Sequence, residues 1–356
     1  MADPAIQRRL LQAVLSLPRP VLRAASGGRA VYVAGRTLDP RLQFLIHAAR
    51  RYASVGDLPE EQARRLRAQQ LALVCGRAEP GVRQEDLQFE GPRGAIAARL
   101  YRPPSPQPGS PLVVHASPGR AGQDDLSGGD AFCSILARCG RAPVLSISCR
   151  PGPDRRFRAC FEDMMAAYRF GRDNAARFEA PEGFAAIAGE CIGGTFAAAA
   201  CQELRRLGEP QPSLQLLIYP WLDLSSPAAL TSAYAEAILP MAEVEGWDPE
   251  RLLSPEDDPS DPRISPLRAA DLSGLAPAVV VTAGFDPVVD QGEAYARRLR
   301  SAGVPLVYRC YDHLVHGFVG FTGAVPAADV ACREIAGLVR EGLEGRIPPP
   351  RPVAAG

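Results

Sequence analysis

From about residue 86 onward, apolar positions alternate between two patterns. Helical periodicity predicts helices near residues 130–140, 158–174, 192–207, 289–302 and 326–342. Short continuous apolar runs predict buried strands between them, at Leu112–His115, Val144–Ser148, Phe184–Ala188, Leu214–Tyr219, Ala278–Ala283 and Leu306–Tyr311. This alternation indicates an α/β fold with a mostly parallel central sheet that helices cover on both faces.

The flanking segments depart from that alternation. Residues 1–85 have a helical pattern, in which Asp39 and Pro40 form a helix start signal. Leu87–Glu90 and Ile96–Tyr101 predict a hairpin. We therefore divide the chain into five parts. These are an N-terminal helical cap segment (1–85), a first core part (86–220), a cap insertion over the carboxyl edge of the sheet (221–272), a second core part (273–345) and a disordered tail (346–356).

Composition narrows the functional classes. Basic and acidic residues both number 40, so the overall charge gives no reason to expect nucleic acid or an anionic membrane as partner. No apolar run is long enough for a membrane span. The N-terminal residues include arginines but are not followed by the apolar region and cleavage site of a signal peptide, so we expect a cytoplasmic protein. All basic residues are arginine, which excludes lysine Schiff-base chemistry. The nine cysteines and four histidines lack metal-site spacing, so we expect reduced thiols, no metal and no cofactor.

The segment Gly189-Glu190-Cys191-Ile192-Gly193-Gly194 is the strongest chemical motif. An apolar strand leads into it and an alanine-rich helix leads away from it. Such a strand–turn–helix holds one side chain exposed in a strained position, and small flanking residues let the backbones pass closely. We call this turn the elbow. A helix N-terminus favours a thiolate at Cys191 and offers N–H groups to an oxyanion.

Two further residues complete a catalytic constellation. Asp286 follows a predicted strand, and His316 follows the last strand after a short loop. The order nucleophile, acid, histidine is typical of this architecture. His316 would accept the thiol proton, and Asp286 would hold the imidazole in the required tautomer. His313 is the alternative base, although a surface or lid position fits it better.

These motifs together resemble the hormone-sensitive-lipase family of α/β-hydrolases over nearly the whole chain. The resemblance rests on the elbow and on the segments Leu216–Pro220, Ile264–Leu267, Asp286–Tyr295, Ala302–Pro305 and His316–Phe318. It implies an α/β-hydrolase fold with a helical cap, esterase or lipase chemistry, and a triad of Cys191, His316 and Asp286.

The chain departs from this family in three places. The family has serine where Cys191 stands. Its His-Gly-Gly-Gly oxyanion loop is here His115-Ala116-Ser117-Pro118-Gly119, and Pro118 has no N–H to donate. One lost donor typically costs about 3 kcal/mol of transition-state stabilisation. The stretch Cys149–Asp154 also differs from the family pattern. The elbow and the oxyanion loop have thus both changed, whereas the acid and the histidine remain.

The remaining site residues follow from the same comparison. Ser117, Gly119 and Ile192 are the expected oxyanion-hole residues, with the Ser117 hydroxyl as a substitute donor. His115 is expected to support that loop. Trp221, Tyr234 and Trp247, in the cap insertion, are either substrate contacts or packing residues.

Our leading hypothesis is an acyl-processing enzyme for an activated ester or thioester of a hydrophobic small molecule, in bacterial secondary metabolism. A thiolate leaves a tetrahedral intermediate ahead of an alkoxide, so simple alkyl esters suit the elbow poorly. The group that accepts the acyl chain is water, an alcohol, an amine or a carbon nucleophile, and the sequence does not favour one of these four. A non-covalent lyase or cyclase with His316 as base, and a non-catalytic binding protein, are the alternatives. The sequence is also compatible with a homodimer.

Overall fold

The computed structural model describes residues 4–51, 69–117, 126–148, 156–225 and 252–348. The N-terminal part contains α1 (Pro4–Leu15), α2 (Arg19–Ala25), a small hairpin of β1 (Tyr32–Val33) and β2 (Arg36–Thr37), and α3 (Pro40–Arg51). The predicted start of α3 is confirmed, because Asp39 Oδ1 accepts the N–H of Arg41 at 2.8 Å and Pro40 is the first helical residue.

The predicted hairpin and the alternating core are both present. The hairpin consists of β3 (Arg83–Gly91) and β4 (Gly94–Arg102). The core elements follow in chain order: β5 (Leu112–Ser117), α4 (Asp130–Gly140), β6 (Val144–Ser148), α5 (Phe157–Asp173), β7 (Ala185–Glu190), α6 (Ile192–Arg206), β8 (Gln215–Ile218), β9 (Ala278–Phe285), α7 (Val289–Ser301), β10 (Leu306–Val315) and α8 (Pro326–Leu343).

The central sheet has eight strands in the order β10-β9-β8-β7-β5-β6-β4-β3. The strands from β10 to β6 run parallel, and β4 and β3 join antiparallel at the other edge. All residues of β5, β7, β8 and β9 are buried, as continuous apolar runs predict for strands that are covered on both faces. The predicted α/β-hydrolase fold is confirmed.

Two hydrophobic cores lie on opposite faces of this sheet. One core joins the sheet to α5, α6 and α7 through residues such as Phe157, Phe196 and Tyr295. The other core joins it to α4, α8 and the N-terminal helices, through residues such as Phe132 and Ile335. The parallel strands are therefore held rigidly, and their carboxyl ends make a firm base for the loops between them.

Several predicted strand boundaries are wrong. The strand β5 continues to Ser117 rather than ending at His115, because it pairs with β6 as far as Ser148. The strand β7 begins at Ala185, and the Phe184 side chain is 61% exposed rather than buried. The strand β8 is one residue shorter at each end than predicted, and β9 and β10 continue to Phe285 and Val315. Backbone pairing to neighbouring strands, which no local pattern encodes, sets these boundaries.

Parts of the predicted domain division lie outside the described residues. These are residues 1–3 and 52–68 of the N-terminal segment, 118–125 and 149–155 of the first core part, 226–251 of the cap insertion and 349–356 of the tail, so the boundaries remain predictions. Ile347, inside the predicted tail, is buried against the second core. Within the described ranges, no helix combines the length and the apolar character that a bilayer crossing requires.

Candidate active site

The elbow has the geometry that its sequence predicts. Cys191 lies between the end of β7 and the start of α6, with φ 53° and ψ −122°. Its N–H donates to Ile218 O of β8 at 2.9 Å, and its C=O accepts from the Thr195 N–H at 3.2 Å. A non-glycine residue at positive φ is strained, so neighbouring contacts must hold it in place. Cys191 is half-buried and directly follows the carboxyl end of β7.

Close backbone contacts around Cys191 explain its glycine neighbours. A Cβ on Gly189 would lie 2.1 Å from Gly193 O, and a Cβ on Gly193 would lie 2.2 Å from Ala116 O. Both distances are far below any van der Waals contact. Strand β5, strand β7 and the first turn of α6 thus pack backbone to backbone, which only glycine permits.

We expect Gly193→Ala to lower the free energy of unfolding by about 3 kcal/mol, because the new methyl group meets main chain that cannot move aside. Chemical denaturation measures this. The matched control is Gly337→Ala in the middle of α8, where a Cβ meets nothing within 4 Å. That substitution should raise stability by up to about 1 kcal/mol through helix propensity. Equal effects of the two variants would contradict the packing argument.

Asp286 and His316 form a buried pair next to the elbow. Asp286 directly follows β9 and is fully buried, and its Oδ1 accepts the Val288 N–H at 2.9 Å. The register of β10 against β9 shifts between Tyr311 and Val315, and His316 comes directly after this irregularity. His316 Nδ1 then lies 2.9 Å from Asp286 Oδ2. We assign the proton of this bond to Nδ1, because the carboxylate can only accept.

The pKa of His316 is raised well above its ordinary value. Burial lowers it, but the charges of Asp286 and Cys191, and hydrogen bonds with both, raise it by more. The protonated imidazolium is therefore favoured between a carboxylate and the sulfur. This arrangement connects Cys191, His316 and Asp286 in one chain, as the sequence predicts for a nucleophile, a base and an orienting acid.

The oxyanion-hole residues can be traced in part. Ile192 is the first residue of α6, so its N–H belongs to the turn that has no intrahelical partners. Ser117 is buried at the end of β5, level with Ser148 of β6. Gly119 lies outside the described residues, as does Pro118, the residue that differs from the family's oxyanion loop. The assignment of Ser117, Gly119 and Ile192 as oxyanion-hole residues remains a prediction.

Of the predicted pocket residues, Trp221 alone lies within the described ranges, because Tyr234 and Trp247 fall in residues 226–251. The Trp221 indole is 3% exposed and its Nε1–H donates to Asp223 O at 3.0 Å. Its backbone C=O accepts the hydroxyl of Thr195. Trp221 thus packs behind the elbow, which agrees with the role of a packing residue. A direct contact between Trp221 and the substrate stays a prediction.

The other two histidines near the site have structural positions. His115 is fully buried on β5, where its Nδ1 lies 3.2 Å from Ser146 Oγ. Burial lowers its pKa although Glu190 acts in the opposite direction, so this imidazole is neutral. His313 is exposed, and its C=O accepts the N–H of Asp39 at 3.0 Å. The surface position predicted for His313 is correct.

Tyr219 and Glu190 form a pair beside the candidate triad that the sequence analysis did not assign. The hydroxyl of Tyr219 donates to Glu190 Oε2 inside the protein. The Tyr219 ring also packs against the His316 imidazole, with centroids 4.6 Å apart. Tyr219 thereby links Glu190, the residue before Cys191, to His316. Both residues stood in recognised motifs, but no pattern indicated that two positions 29 residues apart would meet.

Sequence comparison agrees with this geometry. The family profile described as alpha/beta hydrolase fold matches residues 115–320, which include the end of β5, the elbow, Asp286 and His316. The chain is 36% identical to the carboxylic ester hydrolase LipN of Mycobacterium tuberculosis, over 85% of this chain and 82% of that protein. It is 35% identical to the esterase LipI of the same organism, over 83% of this chain and 92% of that protein.

Solved structures give the same result. An ester hydrolase from the metagenome of Lake Arreo, in complex with a bipyridine phosphonate derivative, superposes with a TM-score of 0.79 at 33% identity. The match covers 86% of this chain and 99% of that protein. A hyperthermophilic esterase from Pyrobaculum calidifontis superposes with a TM-score of 0.73 at 30% identity, over 85% of this chain and 98% of that protein. The chain therefore belongs to the alpha/beta hydrolase family, among relatives that are named as esterases.

Proposed function

We propose that this protein is an ester hydrolase of the alpha/beta hydrolase type that works through a cysteine nucleophile. Cys191 attacks the acyl carbon, His316 moves the proton, and Asp286 orients the imidazole. The observation that supports this most is the buried His316–Asp286 pair, 2.9 Å between Nδ1 and Oδ2, next to a sulfur on a strained elbow. A retired site would have no physical need for this pair.

Before acylation the Cys191–His316 pair holds one proton, which the raised pKa of His316 places on the imidazole. In the acylation step, the Cys191 thiolate forms a bond to the acyl carbon. The carbonyl oxygen becomes an oxyanion, for which the Ile192 N–H is the proposed backbone donor. When the intermediate collapses, the bond from the acyl carbon to the leaving oxygen or sulfur breaks. His316 then gives its proton to that leaving group, so the imidazole is neutral beside an acyl-thioenzyme.

In the deacylation step, neutral His316 takes a proton from the acceptor, which attacks the thioester carbon. The carbon–sulfur bond breaks and the sulfur leaves as thiolate beside the imidazolium. With water as acceptor the product is a carboxylic acid, and with an alcohol or amine it is a new ester or amide. The relatives that are named as an ester hydrolase and an esterase favour water as the acceptor.

The proposed substrate class is an activated ester or a thioester of a hydrophobic small molecule. A thiolate is a better leaving group than an alkoxide, so attack is productive when the substrate's own leaving group departs readily. Phenolate, enolate and thiolate leaving groups satisfy this condition. Trp221, Tyr234 and Trp247 remain the proposed residues of the substrate pocket, and secondary metabolism remains the proposed setting.

Intact-protein mass spectrometry after incubation with a series of acyl thioesters and aryl esters tests the function. We expect the mass to rise by one acyl group, and peptide mapping to place that group on Cys191. The Cys139→Ala variant, which removes another half-buried thiol, should acquire the same adduct. Turnover that requires His316 but leaves no adduct would favour the lyase or cyclase alternative. Tight binding without turnover of any ester would favour a binding protein.

A further inference from the structure

The N-terminal helices expose an unusual row of apolar side chains. The exposed fractions are 50% for Ile6, 63% for Leu10, 36% for Val14, 42% for Leu17 and 46% for Val21. These five residues are here called the N-terminal stripe. Ile6, Leu10 and Val14 recur at intervals of four residues along α1, so they share one side of that helix. Leu17 and Val21 follow α1 along the chain.

The opposite side of α1 is already used for folding. Leu15 is buried in the second core, and Leu11 packs partly against it. Arg8 donates to Cys75 O, and Gln12 donates to Gly323 O at 3.1 Å. The helix is therefore apolar on two sides, and the side that carries the stripe faces away from the protein. An apolar row of this kind on a helix that is otherwise anchored indicates a binding surface.

The N-terminal segment that carries the stripe has charged side chains of one sign only. Residues 4–38 contain six arginines and no aspartate or glutamate, although the whole chain is neutral. Arg36 is paired with Glu293 and Asp312. The exposed arginines Arg9, Arg19 and Arg29 have no acidic partner among the described residues. The net charge of zero gave no reason to expect an anionic partner. The N-terminal segment nevertheless carries only positive charges, and the negative charges lie elsewhere in the chain.

This charge decides which partner fits. A two-fold contact between copies of this chain would place each arginine-rich surface against itself, and like charges would repel. An apolar row flanked by arginines is the pattern of a helix that lies in the headgroup region of an anionic lipid surface. Both features of the segment are satisfied there, because apolar side chains insert and guanidinium groups meet phosphates.

The segment also lies at the edge of the sheet that holds the candidate active site. Arg36 donates to Gly284 O at 3.2 Å, two residues before Asp286. Gly323, which Gln12 contacts, follows His316 by seven residues. The N-terminal segment therefore contacts main chain that lies close in sequence to Asp286 and to His316.

We propose that the N-terminal stripe docks the protein on an anionic lipid surface, where apolar esters accumulate. This inference concerns the surface alone and does not depend on the chemistry of Cys191. Docking adds apolar contact and electrostatic attraction, so it should weaken both with salt and with loss of either component.

Co-sedimentation with vesicles tests the proposal. The purified full chain should bind vesicles of phosphatidylcholine mixed with phosphatidylglycerol, and bind pure phosphatidylcholine much more weakly. Leu10→Asp should lower the partition coefficient about tenfold, as should the double charge reversal Arg9→Glu with Arg19→Glu. Val330→Asp is the matched control, because Val330 is a 54% exposed apolar residue on α8, away from the stripe.

The outcomes separate the possible occupants. Equal binding to both vesicle types, or binding that Leu10→Asp and Val330→Asp affect equally, would overturn the proposal. A dimer that Leu10→Asp dissociates, together with no vesicle binding, would show that a second copy covers the stripe. Circular dichroism and ester turnover in the absence of lipid should be unchanged in all variants, so lost binding cannot be ascribed to unfolding.

Discussion

Replacing Cys191 by alanine is expected to lower kcat/KM for an aryl ester or acyl thioester by about 10⁴-fold or more, and to abolish the acyl adduct. Removal of a covalent nucleophile typically has an effect of this size, since only substrate positioning and oxyanion stabilisation remain. Steady-state kinetics on both substrate types measures it. Cys139→Ala, on α4, serves as the control and should keep full activity.

Cys191→Ser extends this test to substrate preference. The elbow, Asp286 and His316 are unchanged in that variant, and an alkoxide leaves a tetrahedral intermediate less readily than a thiolate. We therefore expect the ratio of alkyl-ester to thioester turnover to rise. If Cys191→Ala only halved the activity, a covalent role for the sulfur would be excluded and His316 alone would act as base.

Replacing Asp286 by asparagine is expected to lower kcat by about 10⁴-fold, because the amide no longer holds the imidazole in the tautomer with its proton on Nδ1. The carboxylate is fully buried and 2.9 Å from that nitrogen, so no water can replace it without a rearrangement. Asp290→Asn is a close control. Asp290 is an exposed acid in the first turn of α7, and its neutralisation should leave kcat within twofold.

The pH profile of the Asp286→Asn variant gives an independent readout. Acylation needs protonated His316, so activity is lost as pH rises through the pKa of this group. In the wild type that pKa is raised, which keeps the alkaline limb at high pH. Without the charge of Asp286 the pKa falls, and the alkaline limb of kcat/KM should move to lower pH. An unmoved limb would show that Asp286 does not act on His316 electrostatically.

The sequence was sufficient for the architecture, and it named Cys191, Asp286 and His316 as candidates that the folded chain brings close together. Continuous apolar runs identify β5, β7 and β9 because strands covered on both faces have no polar side to reveal. The elbow was recognisable because the close approach of Gly193 to Ala116 O tolerates no side chain. Asp286 and His316 followed from their order and spacing after strands. In each case a local constraint on residue type left a local signal.

Other features depend on contacts between distant segments and left no such signal. The pairing of Tyr219 with Glu190 and His316 depends on how β8 lies beside β7 and on the loop after β10. The length of β5 depends on its partner β6. The N-terminal stripe was equally hidden, since Ile6 and Leu10 have the same apolar character as core residues. Only the folded chain shows which side of α1 is exposed.

The separation of Cys191 and His316 along the chain has a consequence for synthesis. Cys191 precedes His316 by 125 residues (316 − 191), and His316 depends on the pairing of β9 with β10. At ribosomal rates of about 5–20 residues per second, about 6 to 25 seconds separate the emergence of the two residues. During that interval the nascent chain has the Cys191 thiol without the His316 imidazole, so the proposed reaction cannot begin before β10 and the loop after it have been made.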